Sequence, residues 1–498
     1  MEEDAIFKYF EGKSILITGA TGFVAKVFLE KILRLQPNIK KMYLLIRGND
    51  KKTSEERLKE EIINTELFRV LREGHRSNFD SAILSKIVPM SGDVSQNNLG
   101  IVNRQLREEM FLELDIIVNS AATVRFDDRY DVSFNINTLG AMHVRDFAMK
   151  CPKLDTLLHV STAYVHGMRV GVIPEIPFCM GETLDGSKLP YIDFDAEKTI
   201  IKKKMEELQS GEVKATEREI SRAMKDLGTQ RSLMHGWPNT YVFTKAMGEM
   251  LVESFKEKAR VIILRPTIIT STYKEPFPGW IEGLRTMDSI FAAYGKRKFE
   301  VFVGDPESVL DLIPCDMVVN GMLTAIAVQP NHHQRRDLLV YHIGSSRRNP
   351  LKFSELKWIM HRYLVENPLL DERGRAIKIG QPKTLNSIAS YRDFITTRYS
   401  PFLTILKFAN IVSCNLLENL YTKESRRLNH ALRLIDLYKP YIFFKGIFDD
   451  ANAENLRRAI KGRGDIHKDM LNFDPMCIKW DEYLEKTHFP GVVKHAMN

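Results

Sequence analysis

The chain is poor in cysteine and has no long apolar run, and each shortage excludes a class of protein. Five cysteines occur in 498 residues, and without any C-x-x-C pair they indicate neither a zinc site nor a disulfide framework. We therefore expect no metal and a reducing compartment. No window holds about 18 consecutive uncharged apolar residues, so no transmembrane span is predicted. The cysteines are Cys151, Cys179, Cys315, Cys414 and Cys477.

A strong excess of one charge is also missing. The 72 lysine and arginine residues nearly balance 64 aspartate and glutamate residues, which leaves a formal net charge of +8. We therefore expect no nucleic-acid partner, although the small basic excess suits an anionic ligand or a membrane surface. Residues 1–13 are acidic and leave no room for a signal or transit peptide, which predicts a cytoplasmic start.

The sequence does contain a glycine-rich turn between a predicted strand and a predicted helix, within residues 12–31. Gly19 and Gly22 stand in the pattern G-x-x-G-x-x-A, with Ala25 in the third position. Such a turn is either an ordinary loop or a nucleotide site in which the backbone approaches a pyrophosphate at the helix N-terminus. Because it follows a strand and opens a helix, we predict the nucleotide site. Its predicted cofactor-binding residues are Thr18, Gly19, Thr21, Gly22, Phe23 and Val24.

The second predicted strand, residues 41–47, ends in a basic residue. Strand, helix and strand in this order indicate a parallel sheet. A site selective for NAD usually has Asp or Glu at this strand end, but Arg47 stands here, and Lys51 and Lys52 follow. A guanidinium suits a 2′-phosphate, so NADPH is the predicted cofactor. Alternatively, Arg47 only ends an exposed edge and Asp50 contacts the ribose.

Two further predicted strands end in polar or small residues. The strand over residues 87–93 ends at Asp93, which accepts a hydrogen bond from an adenine amino group or caps the next turn. The strand over residues 114–122 carries Asn119 and Ala121 at its carboxyl end, where ligands bind in open parallel sheets. We include all three residues in the predicted cofactor site.

Residue types suited to proton transfer come later in the chain. A strand over residues 156–160 delivers the hydroxyls of Ser161 and Thr162 to the same edge. Tyr241 and Lys245 are four residues apart, so a helix would present both on one face. An ammonium beside a phenol lowers the phenol pKa and lets it exchange a proton at working pH. The Y-x-x-x-K spacing is common by chance, and its weight comes from the order of all these motifs in one chain.

Two other segments of the sequence, a charged stretch and a strand end, also allow predictions. Residues 193–227 are highly charged with helical spacing, which predicts a solvated helical insertion without a site. A strand over residues 261–266 ends in Arg265 and Pro266, and we expect this end to close the nicotinamide side of the pocket.

Together these motifs resemble the extended short-chain dehydrogenase/reductases, and within them the plant type of alcohol-forming fatty acyl-CoA reductase. The resemblance covers nearly the whole chain, and the family pattern accepts Ala25 in the third glycine position. It implies reduction of a long-chain fatty acyl-CoA by NADPH to a primary alcohol and CoA, through an aldehyde, in lipid biosynthesis of the wax or suberin kind. The motifs are ILITGATGFVAKVFLEKIL, YLLIR, the Gly92-Asp93 pair, HVSTAYVHG, YVFTK, LRPTII and DLIPCDMVVNG.

The resemblance also implies catalytic roles. Tyr241 would protonate the developing alkoxide, and Lys245 would hold the nicotinamide ribose hydroxyls. Thr162, five residues before Gly167, would donate to the substrate carbonyl oxygen, with Ser161 the weaker candidate. Three alternatives stay open: an aldehyde-forming acyl-CoA reductase, a sterol or sugar-nucleotide oxidoreductase, and a nucleotide-binding protein without catalysis.

The predicted fold is α/β: a doubly wound, mostly parallel Rossmann-type sheet within residues 1–380, then a smaller, mainly helical domain over residues 381–498. This second domain resembles the C-terminal fatty acyl-CoA reductase domain. Its apolar runs, such as residues 402–408, either form core or lie in a bilayer interface. We expect peripheral contact with the endoplasmic reticulum membrane. The acyl chain-length preference and the oligomeric state are left open.

Overall fold

The computed structural model describes the chain except for a few short segments. The described residues are 5–48, 52–75, 78–210, 215–328, 338–461 and 469–497. They form two compact units. The first unit combines residues 1–283, 311–349 and 447–498, and the second combines residues 284–310 and 350–446. This grouping differs from the predicted linear boundary near residue 380, because the chain leaves the first unit twice and returns to it each time.

Seven strands among the described residues form the main sheet of the first unit. They are β1 (Ser14–Thr18), β2 (Lys41–Ile46), β3 (Ile87–Ser91), β4 (Ile116–Asn119), β5 (Thr156–Val160), β6 (Arg260–Pro266) and β7 (Leu338–Ile343). Their order is β7-β6-β5-β4-β1-β2-β3, and every neighbouring pair is parallel. The order reverses between β1 and β4, and such a reversal opens a crevice for a nucleotide. The predicted Rossmann-type sheet is confirmed.

The longer helices flank the sheet or build the second unit. Those of nine or more residues within the described ranges are α1 (Phe23–Leu35), α2 (Arg104–Glu113), α3 (Gly140–Ala148), α4 (Phe194–Ser210), α5 (Glu217–Met234), α6 (Thr240–Glu253), α7 (Thr286–Gly295), α8 (Cys315–Ala327), α9 (Phe353–Glu366), α10 (Ile388–Val412), α11 (Glu418–Ile442) and α12 (Ala451–Lys461). Within the described ranges, none combines the length and the apolarity needed to cross a bilayer.

The strands alternate their side chains between two helical layers. Leu16, Tyr43 and Ile117 belong to a buried cluster that also contains Val144 and Phe147 from α3. Alternate residues of a strand point to opposite faces, so the other set meets the second layer. That layer contains α1 and α8. They are joined by a buried hydrogen bond of 2.6 Å from Lys31 Nζ to Asn320 Oδ1.

The charged insertion is not simply solvated, which corrects the prediction for residues 193–227. Its helices α4 and α5 bury Ile201, Ile220 and Met224 in a cluster with Phe243 and Met247 of α6. The apolar residues recur every three or four positions, so they share one face while the numerous charges occupy the other. The insertion therefore supports the helix that carries Tyr241 and Lys245.

A buried carboxylate also ties the insertion to the rest of the first unit. Glu197 of α4 is 1% exposed. It accepts hydrogen bonds from Tyr130 Oη at 2.8 Å and His235 Nε2 at 3.0 Å, and it pairs with Arg231. Although burial opposes ionisation, the hydrogen bonds from His235, Arg231 and Tyr130 hold the pKa of Glu197 at about 2.

The second unit is mainly helical and has its own small core. Its two short strand pairs join residues 301–303 to 383–385 in parallel and residues 309–310 to 351–352 antiparallel. Helices α10 and α11 form a hairpin, and the core cluster includes Ile395 of α10 with Leu428 and Leu432 of α11.

Candidate active site

The glycine-rich turn has the backbone geometry of a nucleotide cradle. Gly19 has φ +67°, and a Cβ added there would lie 2.7 Å from the Cα of Ala121, so no side chain fits. The Gly22 N–H donates to the Gly19 carbonyl at 2.8 Å, which closes the turn. Gly22 caps α1 without a side-chain hydrogen bond, and the first N–H groups of a helix attract anions. Of the other predicted residues, Phe23 is buried and Thr21 and Val24 are half-buried.

The side chains of Thr18 and Asn119 bind each other at the carboxyl ends of β1 and β4. Thr18 Oγ1 donates to Asn119 Oδ1 at 2.7 Å and accepts from the Ala121 N–H at 3.2 Å. Asn119 Nδ2 lies 2.9 Å from Nδ1 of His159, and burial holds the pKa of His159 well below its usual value. These contacts fix the positions of three strand ends, and the predicted contacts of Thr18, Asn119 and Ala121 with a cofactor stay predictions.

The two residues predicted for the adenosine side lie at the ends of β2 and β3. Arg47 is exposed directly after β2. Asp93 Oδ1 accepts from the N–H and the hydroxyl of Ser95, at 2.9 and 2.8 Å, so it caps the next turn as one alternative predicted. An adenine contact of Asp93 stays a prediction. Asp50 and Lys51 lie outside the described residues, and the ammonium of Lys52 pairs with Glu60.

Ser161 and Thr162 extend β5 to the edge of the sheet. Thr162 is almost fully buried, and its Oγ1 accepts from the Tyr164 N–H at 3.4 Å as the cap of a short helix. Because the hydroxyl accepts in this bond, the bond does not use the hydroxyl's own proton. The predicted contact of Thr162 with a substrate stays a prediction. The hydroxyl of Ser161 is buried without a hydrogen-bond partner among the described residues.

One hydrogen bond brings the Tyr–Lys helix to the Ser–Thr strand end. The ammonium of Lys245, 2% exposed, donates to the Val160 carbonyl oxygen at 2.7 Å. Val160 immediately precedes Ser161 and Thr162, so residues 85 positions apart in sequence meet here. Burial lowers the pKa of Lys245 to about 8, and the nearby charge of Glu249 partly opposes this shift. Tyr241 is half-buried one helical turn before Lys245.

Behind Lys245 lies a buried ion pair that the sequence reasoning missed. Glu249, a further turn along α6, binds the guanidinium of Arg265 with oxygen–nitrogen distances of 2.6 and 3.0 Å. The same guanidinium contacts His166 Nε2 at 2.8 Å. Arg265 is therefore part of the core, not a wall of the nicotinamide pocket as predicted, while Pro266 lies buried at the end of β6. The spacing of Tyr241, Lys245 and Glu249 by four residues was the available signal.

An aromatic side chain that the sequence reasoning also missed covers Tyr241. The ring of Phe126 stacks on the Tyr241 ring, with centroids 5.5 Å apart and planes inclined by 29°. Its loop is held at one end by Asn137, which accepts from the Thr123 N–H at 3.0 Å. At the other end Lys225 of α5 pairs with Asp127 at 3.1 Å. The insertion thus also fixes the loop beside the tyrosine.

These observations suit a dinucleotide. Three features lie at the carboxyl edge of the sheet: the space that a Cβ at Gly19 would fill, the start of α1 without a side-chain cap, and the hydroxyl of Ser161 without a partner among the described residues. With the reversed strand order and the Tyr–Lys helix, fold and site define a Rossmann-type reductase with an NAD(P)-binding domain.

Comparisons with known proteins give the family. A model of the NAD-binding domain described as male sterility protein matches residues 17–322, and a model of the Sterile domain, also described as male sterility protein, matches residues 402–498. The chain is 45% identical over 499 residues to an alcohol-forming fatty acyl-CoA reductase of Simmondsia chinensis, with all of both chains covered. It is 46% identical over 498 residues to fatty acyl-CoA reductase 1 of Arabidopsis thaliana, again over both full lengths. The chain belongs to the fatty acyl-CoA reductase family, which confirms the resemblance.

Solved structures support the fold alone. The terminal R domain of the myxalamid biosynthetic pathway superposes with a TM-score of 0.54 at 19% identity, covering 97% of this chain and 91% of its own. The reductase domain of a nonribosomal peptide synthetase from Mycobacterium tuberculosis gives 0.53 at 15% identity, covering 95% of both chains.

Proposed function

We propose that this protein reduces long-chain fatty acyl-CoA to a primary fatty alcohol and free CoA, with NADPH as the reductant. The overall conversion consumes two hydrides and two protons, because the thioester carbon is reduced first to the aldehyde and then to the alcohol. The observation that carries the proposal is the Lys245–Val160 hydrogen bond, since it brings the Tyr–Lys helix to the strand end that bears Thr162.

The cofactor-binding part of the site is proposed from the glycine-rich turn and from the carboxyl ends of β2 and β3. The backbone of Gly19 and Gly22, with the start of α1, would hold the pyrophosphate. Arg47 would contact the 2′-phosphate, and this contact is the basis for preferring NADPH to NADH. When bound, the dinucleotide supplies the hydride.

The chain's own residues then handle the carbonyl oxygen and its proton. Thr162 Oγ1 would donate a hydrogen bond to the oxygen where negative charge develops. Tyr241 Oη would deliver the proton to this oxygen. Lys245 has three N–H donors and uses one on Val160, which leaves others for the ribose hydroxyls. Phe126 and the insertion helices would keep the Tyr241 ring in place.

Product analysis tests the proposal. Purified protein given palmitoyl-CoA and excess NADPH should form hexadecanol, with two NADPH oxidised per alcohol. Tyr241→Phe and Thr162→Ala should each lower turnover by about 100-fold or more while retaining NADPH binding. Aldehyde that accumulates without alcohol would contradict the alcohol-forming assignment. NADH supporting the same kcat/KM as NADPH would contradict the role of Arg47, and full turnover by Tyr241→Phe would refute the catalytic assignment.

The proposal includes a peripheral position on the cytoplasmic side of the endoplasmic reticulum. The apolar runs of the second unit, interrupted by single lysines, support it because amphipathic surfaces of this kind bind in a bilayer interface. Fractionation tests the position: washed microsomes should retain the protein, and alkaline carbonate should release it.

A further inference from the structure

The outer face of the helical hairpin in the second unit is apolar where water-facing side chains are expected. Near the tip, α10 turns Leu406 and Asn410 inward, and both are buried. The same turns also carry five apolar side chains that are 50% to 83% exposed. Leu416, in the turn that joins α10 to α11, is 84% exposed. The five are Phe402, Ile405, Phe408, Ile411 and Val412.

This apolar face belongs to a well-defined turn. Asn410 Oδ1 accepts from the Leu417 N–H at 2.9 Å, and Asn410 Nδ2 donates to Glu418 at 2.7 Å. The buried amide thereby fixes the direction in which the chain reverses. A surface helix normally turns its polar face to water and its apolar face inward. Here the polar amide of Asn410 is buried beside Leu406, while large apolar side chains of the same turns are exposed.

The charged residues around this apolar face indicate which kind of partner it binds. Residues 394–417 contain no aspartate or glutamate, whereas Arg398 and Lys407 are both exposed. If a second copy of the chain docked symmetrically on this face, its Arg398 and Lys407 would approach those of the first copy. This segment offers no carboxylate to either pair of cations, so the contact would be repulsive. A bilayer with anionic headgroups accepts apolar side chains and cations together.

We propose that the hairpin tip, defined as Phe402, Ile405, Phe408, Ile411, Val412 and Leu416, inserts into the interface of a membrane that contains anionic lipid. Arg398 and Lys407 contact the headgroups while the apolar side chains enter the acyl boundary. The inference deepens the membrane contact in the proposed function by naming the surface that makes it.

Vesicle flotation with the full chain tests the inference. The probes are vesicles of phosphatidylcholine alone and vesicles that also contain phosphatidylserine, without acyl-CoA or NADPH. The triple variant Phe402→Ser/Ile405→Ser/Phe408→Ser should lose at least about tenfold in vesicle affinity. A control variant, Val102→Ser/Leu112→Ser, removes two apolar groups of the first unit that are 90% and 62% exposed, and it should float like the wild type.

The charge variant Arg398→Gln/Lys407→Gln separates the two contributions. It should abolish the preference for phosphatidylserine and keep weak binding to neutral vesicles. The proposal is overturned if the wild type floats with neither vesicle, or if the triple variant floats as well as the wild type. It is also overturned if light scattering finds a wild-type dimer that the triple variant converts to a monomer, because a second copy would then cover the tip. Failure of the reduction chemistry leaves these binding results unchanged.

Discussion

The ammonium nitrogen of Lys245 lies 2.7 Å from the backbone carbonyl oxygen of Val160. Burial lowers the pKa of this lysine to about 8, so the protonated form that binds the carbonyl is lost as the pH rises through that value. We expect kcat/KM to be highest below about pH 8 and to fall roughly tenfold per pH unit above it. A pH profile of NADPH oxidation checks this. A plateau that extends to about pH 10 would contradict the requirement for a protonated Lys245 with a lowered pKa.

Replacing Phe126 by leucine should lower turnover more than it lowers stability. The substitution removes the ring stacked on Tyr241, and such aromatic pairs contribute about 1 kcal/mol beyond their buried area. If this energy orients the phenol, kcat falls about five- to tenfold with KM little changed. Phe111→Leu is the matched control, because it removes a comparable ring contact, with Phe147 at 4.8 Å, in another part of the unit. If kcat falls equally in both variants, Phe126 contributes only to packing and does not orient Tyr241.

Glu249→Gln should destabilise the first unit strongly. It leaves the fully buried guanidinium of Arg265 without its carboxylate, and breaking a buried ion pair costs about 3–5 kcal/mol. Urea unfolding measures the loss. Glu253→Gln, on the same helix and paired with Lys256 near the surface, should cost less than about 1 kcal/mol. Adding Arg265→Met to Glu249→Gln should recover part of the stability, and a double variant less stable than the single one would contradict this account.

Gly19→Ala should weaken binding of the dinucleotide by at least about tenfold. An added methyl group would lie 2.7 Å from the Cα of Ala121, so the turn must move. Gly12→Ala is the control, because Gly12 also has a positive φ of +69° but has no atom within 4 Å of an added Cβ. Both variants bear the backbone strain of about 1 kcal/mol, and only the first should raise the Kd in a fluorescence titration with NADPH. Equal Kd values for the two variants would show that the turn at Gly19 does not bind the cofactor.

Met224→Ala tests whether the charged insertion supports α6, the helix that carries Tyr241 and Lys245. Met224 is fully buried in the cluster that contains residues of α6, so its truncation should cost about 2–5 kcal/mol. Leu233→Ala on the same helix α5 should cost less than about 0.5 kcal/mol, because Leu233 is 55% exposed. Thermal unfolding of both variants measures the difference. If neither variant shifts the unfolding midpoint, the insertion does not contribute to the stability of the rest of the first unit.

The parts of the site that sequence reasoning reached are those with a local signature. A strand, a glycine turn and a helix are adjacent in the chain, and the conformation of Gly19 follows from a few neighbouring residues. The parallel sheet follows from strands and helices that alternate. Tyr241 and Lys245 were predicted to share a helix face because four residues make about one helical turn, and the structure places both on α6. Their catalytic roles stay predictions.

What it missed depends on contacts between distant residues. Phe126 reaches Tyr241 from a loop more than a hundred positions earlier, and no spacing predicts that contact. Arg265 sits in a strand-end motif that suggests a ligand, but Glu249 of α6 takes its guanidinium. Glu197 belongs to a segment whose charge content indicates solvent, and its burial depends on Tyr130 and His235 arriving from elsewhere.

The way in which the first unit is assembled has a consequence for its synthesis. Residues 447–498 return to a unit whose strand β1 is made first, and the Phe448 ring packs 5.3 Å from that of Tyr164, two positions after Thr162. The sheet can begin to form on the ribosome, but the loop bearing Thr162 gains this neighbour only after translation has passed residue 448. A nascent chain that ends before residue 448 would leave that side of the loop exposed. We expect chaperones to bind the chain at this place before it becomes an active enzyme.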